Sequence, residues 1–264
     1  MSRPPQDQID AARAYESLMV PAIFDEWPPF VLDAADVQAG DRVLDVACGT
    51  GVLARAAAER SDSVTGLDLN PGMLAVAAEQ APGIDWRLGD AAGLPFPDAS
   101  FDVVVSQFAL MFFPDRPKAL AEMLRVLKPG GRIGVAVWDR LEKSPAYSVE
   151  VAILERMAGP EAAEALRAPF VLGDAGELKR LLLEAGVAAP QVQTRTGLAR
   201  FPSIRTLAEA DLRGWLPLMG VHLSDEKIEE IVLQVELELN HLIEPDDSFV
   251  FESPAHIVSG ARAS

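Results

Sequence analysis

The sequence predicts an α/β fold: a mostly parallel sheet with helices on both faces. Three observations carry this prediction. Between residues 40 and 140, short apolar runs alternate with helix-length amphipathic segments, the rhythm of right-handed crossovers in a parallel sheet. One of those runs, FDVVVSQF (101–108), is almost unbroken in its apolar character, as expected of a strand buried on both sides. The chain has 264 residues, of which 49% are hydrophobic, enough for one sizeable core or for a domain with a modest cap.

Taken in order, residues 9–20 and 22–38 have the three- and four-residue apolar spacing of helices, with interruptions at Pro21 and at Pro28–Pro29. RVLDVA (42–47) is a buried strand, and a glycine turn opens a helix over 51–60. SVTGLDL (63–69) is the second strand, and Pro71 stands at the first turn of a helix over 71–80. IDWRLGD (84–90) and FDVVVSQF (101–108) are the third and fourth strands. A helix over 115–127 ends at KPGG, read as a turn device, and RIGVAVW (132–138) is the fifth strand.

After Trp138 the rhythm changes. Residues 145–168 read as one or two helices broken at Gly159–Pro160, and 173–187 as a helix started near Asp174 and ended at Gly186. Residues 190–201 and 248–262 alternate like strands and bracket a helical segment over 203–243. The expected organisation is a single domain over 1–264, with a ligand-binding core at about 40–140. Helical cap elements are expected at about 143–172 and 203–243, the second inserted before the last strand. No repeat or low-complexity linker interrupts the chain.

Twenty-three Lys and Arg stand against 40 Asp and Glu, a formal net charge of −17. Such a surface repels phosphate backbones and anionic lipid at long range, so neither nucleic acid nor membrane is expected as a partner. No run reaches the length of a membrane span, and the N-terminal stretch has no apolar signal core. With Cys48 as its single cysteine, the chain reads as a resident of a reducing cytoplasm.

The chemistry concentrates at RVLDVACGTG (42–51). Gly49 and Gly51 allow a tight turn and close approach of a ligand to the backbone, at the carboxyl end of a strand, where open α/β sheets bind ligands. The spacing Gly49-x-Gly51-x-x-Ala54 is a loose version of a dinucleotide fingerprint. Asp68, ending the second strand, suits ribose hydroxyls. Asp45 discriminates among nucleotides: a carboxylate beside the turn would repel a pyrophosphate but suits a ligand with an ammonium group and a sulfonium, which describes S-adenosylmethionine. The plainer alternative is an Asp that bonds turn amides. Ala47, where a first glycine could stand, is small enough for close approach.

In their order and spacing, VLDVACGTG, the acid in GLDLNPGML, GDAAGLPF and LKPGGR resemble the class I S-adenosylmethionine-dependent methyltransferases, and within them the branch of quinone-biosynthesis and other small-molecule enzymes. The resemblance covers residues 40–140 and implies a Rossmann-like sheet of seven strands. It also implies donor-binding roles. Asp45 would take the methionine amino group, and Ala47, Gly49 and Gly51 would pack against methionine and ribose. Asp68 would take the ribose hydroxyls, Leu69 and Met73 would flank the adenine, and Asp90 would accept from the adenine amino group. Ala91 and Ala92 would add backbone contacts. Gln107 and Phe108 match the place that lines both donor and acceptor. The Asn/Asp-Pro-Pro-aromatic signature of many amino-methylases of bases and protein amides does not occur there.

From the N-terminal helices, Tyr15 is the residue expected to close over the donor, while Phe24 and Trp27 read as packing. Met111, Phe112 and Phe113 also read as core, and Trp138 as either a substrate wall or core. No metal is expected. Among the histidines, His222 is the candidate general base by residue type and place, and no other catalytic residue is marked. The expected activity is methyl transfer to a small, partly hydrophobic molecule at an O, N or C nucleophile, by a monomer or homodimer. A nicotinamide-dependent oxidoreductase and a non-catalytic donor-binding module are the alternatives. Leu212, Trp215, Leu216, Leu218 and Met219 are the apolar residues expected in the cap.

Overall fold

The computed structural model describes residues 4–245 and 248–263. Its centre is a seven-stranded sheet in the order β3-β2-β1-β4-β5-β7-β6. The strands are β1 (Arg42–Val46), β2 (Ser63–Asp68), β3 (Asp85–Leu88), β4 (Phe101–Gln107), β5 (Leu127–Trp138), β6 (Val187–Phe201) and β7 (Phe249–Arg262). β1 to β5 run parallel, and β7 is antiparallel to both its neighbours. The order reverses beside β1, which places the turn after it at a topological switch point.

The buried strands are apolar because helices cover both faces. Val43, Leu44, Val46, Val103, Val104, Val105, Ile133, Val135 and Val137 are all buried. Each large apolar side chain removed from water contributes about 1.5–3 kcal/mol. The helices that flank the strands include α1 (Gln6–Ala14), α2 (Pro28–Ala34), α3 (Val52–Ala58), α4 (Pro71–Gln80), α5 (Arg116–Val126) and α8 (Ala175–Ala185), and the last three start on local signals. Asn70, Asp115 and Asp174 accept from backbone amides at the N-termini of α4, α5 and α8, and Gly186 ends α8 at φ 99°.

Two local expectations are corrected and a third, the helical segment over 203–243, is resolved into parts. Pro21 does not interrupt the N-terminal helix: residues Tyr15–Phe24 form a π-helix that runs through it, the wider turn accommodating a residue with no N–H to give. KPGG does not separate α5 from β5. β5 begins at Leu127, paired with Phe101, and the register shifts before Arg132 pairs with Val103, so Lys128–Gly131 is an irregularity inside the strand. The 203–243 segment is several pieces: α9 (Ile204–Glu209), a π-helical stretch Ala210–Trp215, α10 (Leu216–Leu218) and α11 (Asp225–Leu239).

These pieces lie between β6 and β7 in sequence; with α6 (Pro145–Met157) and α7 (Pro160–Arg167), which lie between β5 and β6, they make a helical layer against the β6–β7 end of the sheet. Leu212, Leu216, Ile231, Val232 and Val235 are buried in it. No described helix is long and apolar enough to cross a membrane.

Candidate active site

The turn after β1 has unusual backbone geometry. Ala47, Gly49 and Gly51 have φ of 57°, 56° and 89°, the left-handed region that side chains disfavour. The Cys48 amide donates to the Leu67 carbonyl at 2.9 Å, and the Gly51 amide to the Cys48 carbonyl at 2.9 Å, so the turn is pinned to β2 and closed on itself. Ala47 therefore carries backbone strain that a glycine would not. Gly51 is required twice: by its φ, and because a Cβ there would run into the ring of Trp86 from β3. Gly66 in β2 meets the same indole.

Asp45 sits in β1 opposite Gly66 and Val105. It is 1% exposed, and neither of its carboxylate oxygens has a hydrogen-bond partner among the described residues. Burial, then the charge of Asp68, pushes its pKa well up, and the Ala54 amide, short of hydrogen-bond geometry, opposes the rise without reversing it. An ionised carboxylate in this position is costly without a partner.

Asp68 is better served. Its Oδ2 accepts from the Gly49 amide and its Oδ1 from the Asn70 amide, each at 2.8 Å. Its pKa is still raised, mainly by burial. The nearby Arg55 is engaged with Glu16 at 2.8 Å and with the Thr50 carbonyl. The site thus holds two carboxylates, and the cation beside the turn is already neutralised by its own partner.

The N-terminal π-helix packs directly over the turn. The Tyr15 ring comes within 4.0 Å of where a Cβ on Gly49 would stand. Burial, with Asp68, Glu16 and Asp45 nearby, pushes its hydroxyl pKa up. Tyr15 stacks on Phe24 at 5.3 Å, and Phe24 reaches Phe108 and Trp138 at 5.8 and 6.2 Å. Phe108 and Trp138 stack face to face at 3.7 Å and 7°, with Trp27 edge-on to both. Phe108 takes a left-handed φ of 54° to make this stack, an outlier for a bulky residue. Gln107 donates to the Phe24 carbonyl at 3.0 Å, while its Oε1 is buried without a partner.

The structure gathers Asp45, Ala47, Gly49, Gly51, Asp68, Gln107, Phe108 and Tyr15 at the carboxyl ends of β1, β2 and β4. Other expected residues have visible structural duties. Leu69 is 69% exposed. Met73 packs against the small cluster of Ile9, Ala12 and Val76. Asp90 Oδ1 accepts from the Ala92 amide at 2.8 Å, capping a short 3₁₀ turn over Ala91–Gly93.

His222 is exposed on the link between α10 and α11. His256 is buried with both ring nitrogens occupied: Nδ1 faces Thr194 Oγ1 at 2.8 Å, and Nε2 faces the Gly173 carbonyl and Asp139 Oδ1 at 3.0 and 3.2 Å. Sequence reasoning missed the Glu16–Arg55 pair and Trp86. Gly66, a glycine inside a strand, was the available signal for Trp86, because such a glycine marks a close approach.

Comparison with known proteins places this geometry. Residues 44–135 match the family model described as a methyltransferase domain. A ubiquinone/menaquinone biosynthesis C-methyltransferase of Chromobacterium violaceum is 35% identical over 190 residues, 65% of this chain and 77% of that protein. A demethylmenaquinone methyltransferase of Renibacterium salmoninarum is 44% identical over 130 residues, 49% of this chain and 55% of the relative. One from Paenarthrobacter aurescens is 46% identical over 110 residues, 42% of this chain and 44% of the relative, so the chain spans about half the length of these two.

Among solved structures, the YcgJ protein of Bacillus subtilis superposes with a TM-score of 0.61 at 20% identity, over 90% of this chain and 99% of that one. A Haemonchus contortus phosphoethanolamine N-methyltransferase, bound to S-adenosylhomocysteine, gives 0.60 at 19% identity over 96% of this chain and 57% of that one. These structures share the fold. On the sequence match, which reaches across more than three quarters of the Chromobacterium protein, the chain belongs to the class I S-adenosylmethionine-dependent methyltransferase family.

Proposed function

We propose that the chain transfers a methyl group from S-adenosylmethionine to a small, partly hydrophobic acceptor at an O, N or C nucleophile. The observation that carries this reading is Asp45, a fully buried carboxylate with neither oxygen partnered, beside a glycine turn held open at left-handed φ. A ligand that brings an ammonium group to that carboxylate removes the cost of burying it. A pyrophosphate would meet Asp45 and Asp68 while the nearby cation, Arg55, is already paired with Glu16, which counts against the nicotinamide alternative.

When bound, the cofactor supplies an electrophilic methyl group on a cationic sulfur. Asp45 would hold the ammonium end, and Asp68, already fixed by two backbone amides, would present its remaining lone pairs to ribose hydroxyls. Asp90, with Ala91 and Ala92, would receive the adenine, and Leu69 and Met73 would flank it. Tyr15, Phe24, Phe108 and Trp138 would exclude water, and Gln107 Oε1 would offer an acceptor to the donor or the substrate. A dry aromatic wall favours a transition state in which the charge on sulfur is dispersed. The protein then contributes mainly orientation and desolvation.

The helical layer would cap the acceptor pocket, with Trp215 packed on Phe112 just beyond β4 at 5.1 Å. Leu212 and Leu216 are buried in that layer, while Leu218 and Met219 are exposed at its rim. We place the enzyme in the cytoplasm, acting as a monomer or homodimer on small molecules. Thermal shift with S-adenosylhomocysteine and with NAD tests the donor assignment: only the former should raise the melting temperature. A rise with NAD alone would overturn it. Release of S-adenosylhomocysteine in the presence of an acceptor library tests turnover, and donor binding without any acceptor-dependent release would favour a binding module.

A further inference from the structure

The π-helix Tyr15–Phe24 carries an aromatic ring at each end, and the two ends stand at different parts of the candidate site. At one end the Tyr15 ring comes within 4.0 Å of the place a Cβ on Gly49 would take, against the turn assigned to the donor. At the other end the Phe24 ring tilts against Phe108 at 5.8 Å and Trp138 at 6.2 Å, past β4 and at the end of β5. The two rings also meet each other, stacked at 5.3 Å. An unbroken run of ring contacts therefore leads from the glycine turn to the aromatic wall beyond β4 and β5.

Both ends of the helix are fastened to the sheet domain. Arg55 of α3 pairs with Glu16 at 2.8 Å, next to Tyr15. Gln107 donates to the Phe24 carbonyl at 3.0 Å, and Glu26 accepts from the Leu198 amide of β6 at 2.9 Å. The wall that Phe24 touches is strained. Phe108 holds its left-handed φ of 54° while its amide donates to the Ala136 carbonyl at 2.9 Å, and strain of this kind gathers at ligand clamps and switch regions. A donor seated on the Gly49 turn meets the Tyr15 ring, so it interacts differently with each position that ring can take. That difference is what lets a ligand shift a conformational equilibrium. Close-packed rings rearrange together rather than deform one at a time. The route runs through the rings and does not need the helix backbone, where Pro21 has no N–H to give.

We propose that Tyr15 and Phe24 relay donor occupancy to the acceptor side, so that Phe108 and Trp138 take up their acceptor-binding positions when the donor is bound. Phe24 is then a positioning residue. It acts through Tyr15 on one side and through Phe108 and Trp138 on the other. The proposal rests on the methyl-transfer reading and adds to it a coupling between the two halves of the site. The two states it requires differ in where the Tyr15 ring stands against the turn, and the donor's contact with that ring is the differential contact that biases them.

Tryptophan emission reads the wall. The chain has four tryptophans. W86F/W215F removes the one against the glycine turn and the one in the helical layer, and leaves Trp27 and Trp138, edge-on to each other at 5.8 Å in the wall. Titrating S-adenosylhomocysteine into this protein should change its emission with the midpoint that calorimetry gives for binding. Adding Phe24→Leu, which keeps an apolar side chain but no ring, should remove most of the emission change while affinity stays within about threefold. Phe24→Tyr in its place should restore the change. Unchanged emission at calorimetric saturation would overturn the proposal. So would a full change with Phe24→Leu, which would mean that the donor acts on Phe108 directly. If the tryptophan variant does not fold, hydrogen exchange decides: S-adenosylhomocysteine should alter exchange of the Phe108 amide in the wild type and not in Phe24→Leu, and equal effects in the two would overturn the relay. Failure of S-adenosylhomocysteine to bind at all would instead sink the methyl-transfer reading, whereas binding without a response at the wall leaves that reading intact.

Discussion

Asp68 at the end of β2 accepts the backbone amide of Gly49 at 2.8 Å and so ties the second strand to the turn that follows the first. The same carboxylate accepts from the Asn70 amide, one residue before α4. One side chain therefore holds the relative position of two loops that both face the candidate donor site. Asp68→Ala is expected to lower stability by about 1–3 kcal/mol, the cost of leaving buried donors unmet, and to weaken S-adenosylhomocysteine. Denaturant unfolding and calorimetric titration read the two effects separately.

Asp45→Asn should have effects of opposite sign. Removing an unpartnered buried charge leaves the ligand-free protein as stable as wild type or more so, while affinity for S-adenosylhomocysteine falls about tenfold or more, as for loss of a charge-assisted hydrogen bond. A variant that lost stability and retained affinity would show that Asp45 is a structural residue.

Gly51→Ala is expected to destabilise by about 1–3 kcal/mol, combining the left-handed φ penalty with overpacking against Trp86. Pairing it with Trp86→Leu should recover part of the loss. A double variant no more stable than Gly51→Ala would show that the φ term dominates.

Three buried acids with raised pKa give the ligand-free protein a defined pH dependence. Asp45, Glu150 and Asp211 all bind protons more tightly folded than unfolded. Their contribution is fully present below the unfolded carboxyl value of roughly 4 and is lost as pH rises through the folded values, about 7 for Asp211. Urea midpoints measured from pH 5 to 8 should fall, and Glu150→Gln/Asp211→Asn should flatten the slope. A midpoint that rises across this range in wild type would contradict the assignment.

Trp215→Ala removes the contact with Phe112 and the indole donation to the Ala165 carbonyl at 2.8 Å. It should cost about 3 kcal/mol of stability and impair turnover of any acceptor the library identifies. Met219→Ala, at an exposed rim position, should stay within about 0.5 kcal/mol of wild type. If neither variant changed acceptor affinity or turnover, the helical layer would be scaffold.

The parallel core was legible because its signals are local. A strand buried on both faces must be apolar along its length, as FDVVVSQF is, and Asn70, Asp115, Asp174 and Gly186 announce helix ends by their own backbone chemistry. The departures share a cause. Residues 15–24 and 210–215 became π-helical, and β5 absorbed KPGG, because packing partners from distant segments decided between local alternatives of similar energy.

The same division runs through the candidate site. Spacing alone put Asp45, Gly49, Gly51 and Asp68 at the ends of adjacent parallel strands, since strand polarity fixes where their carboxyl ends lie. What spacing does not carry is burial and partnership. That Asp45 is unpartnered, that Trp86 lies across Gly51 and Gly66, and that Phe108 stacks on Trp138 are consequences of segments far apart in sequence meeting in space.

Glu150 and Asp211 make the point most sharply. In sequence they are ordinary acids on amphipathic helices, 61 residues apart by their numbering. The sequence by itself determined the sheet, the glycine turn and the family, because hydrophobic period, strand polarity and turn chemistry act over a few residues. Only the tertiary structure decided which carboxylates lose their water, because desolvation depends on every element that closes around a group.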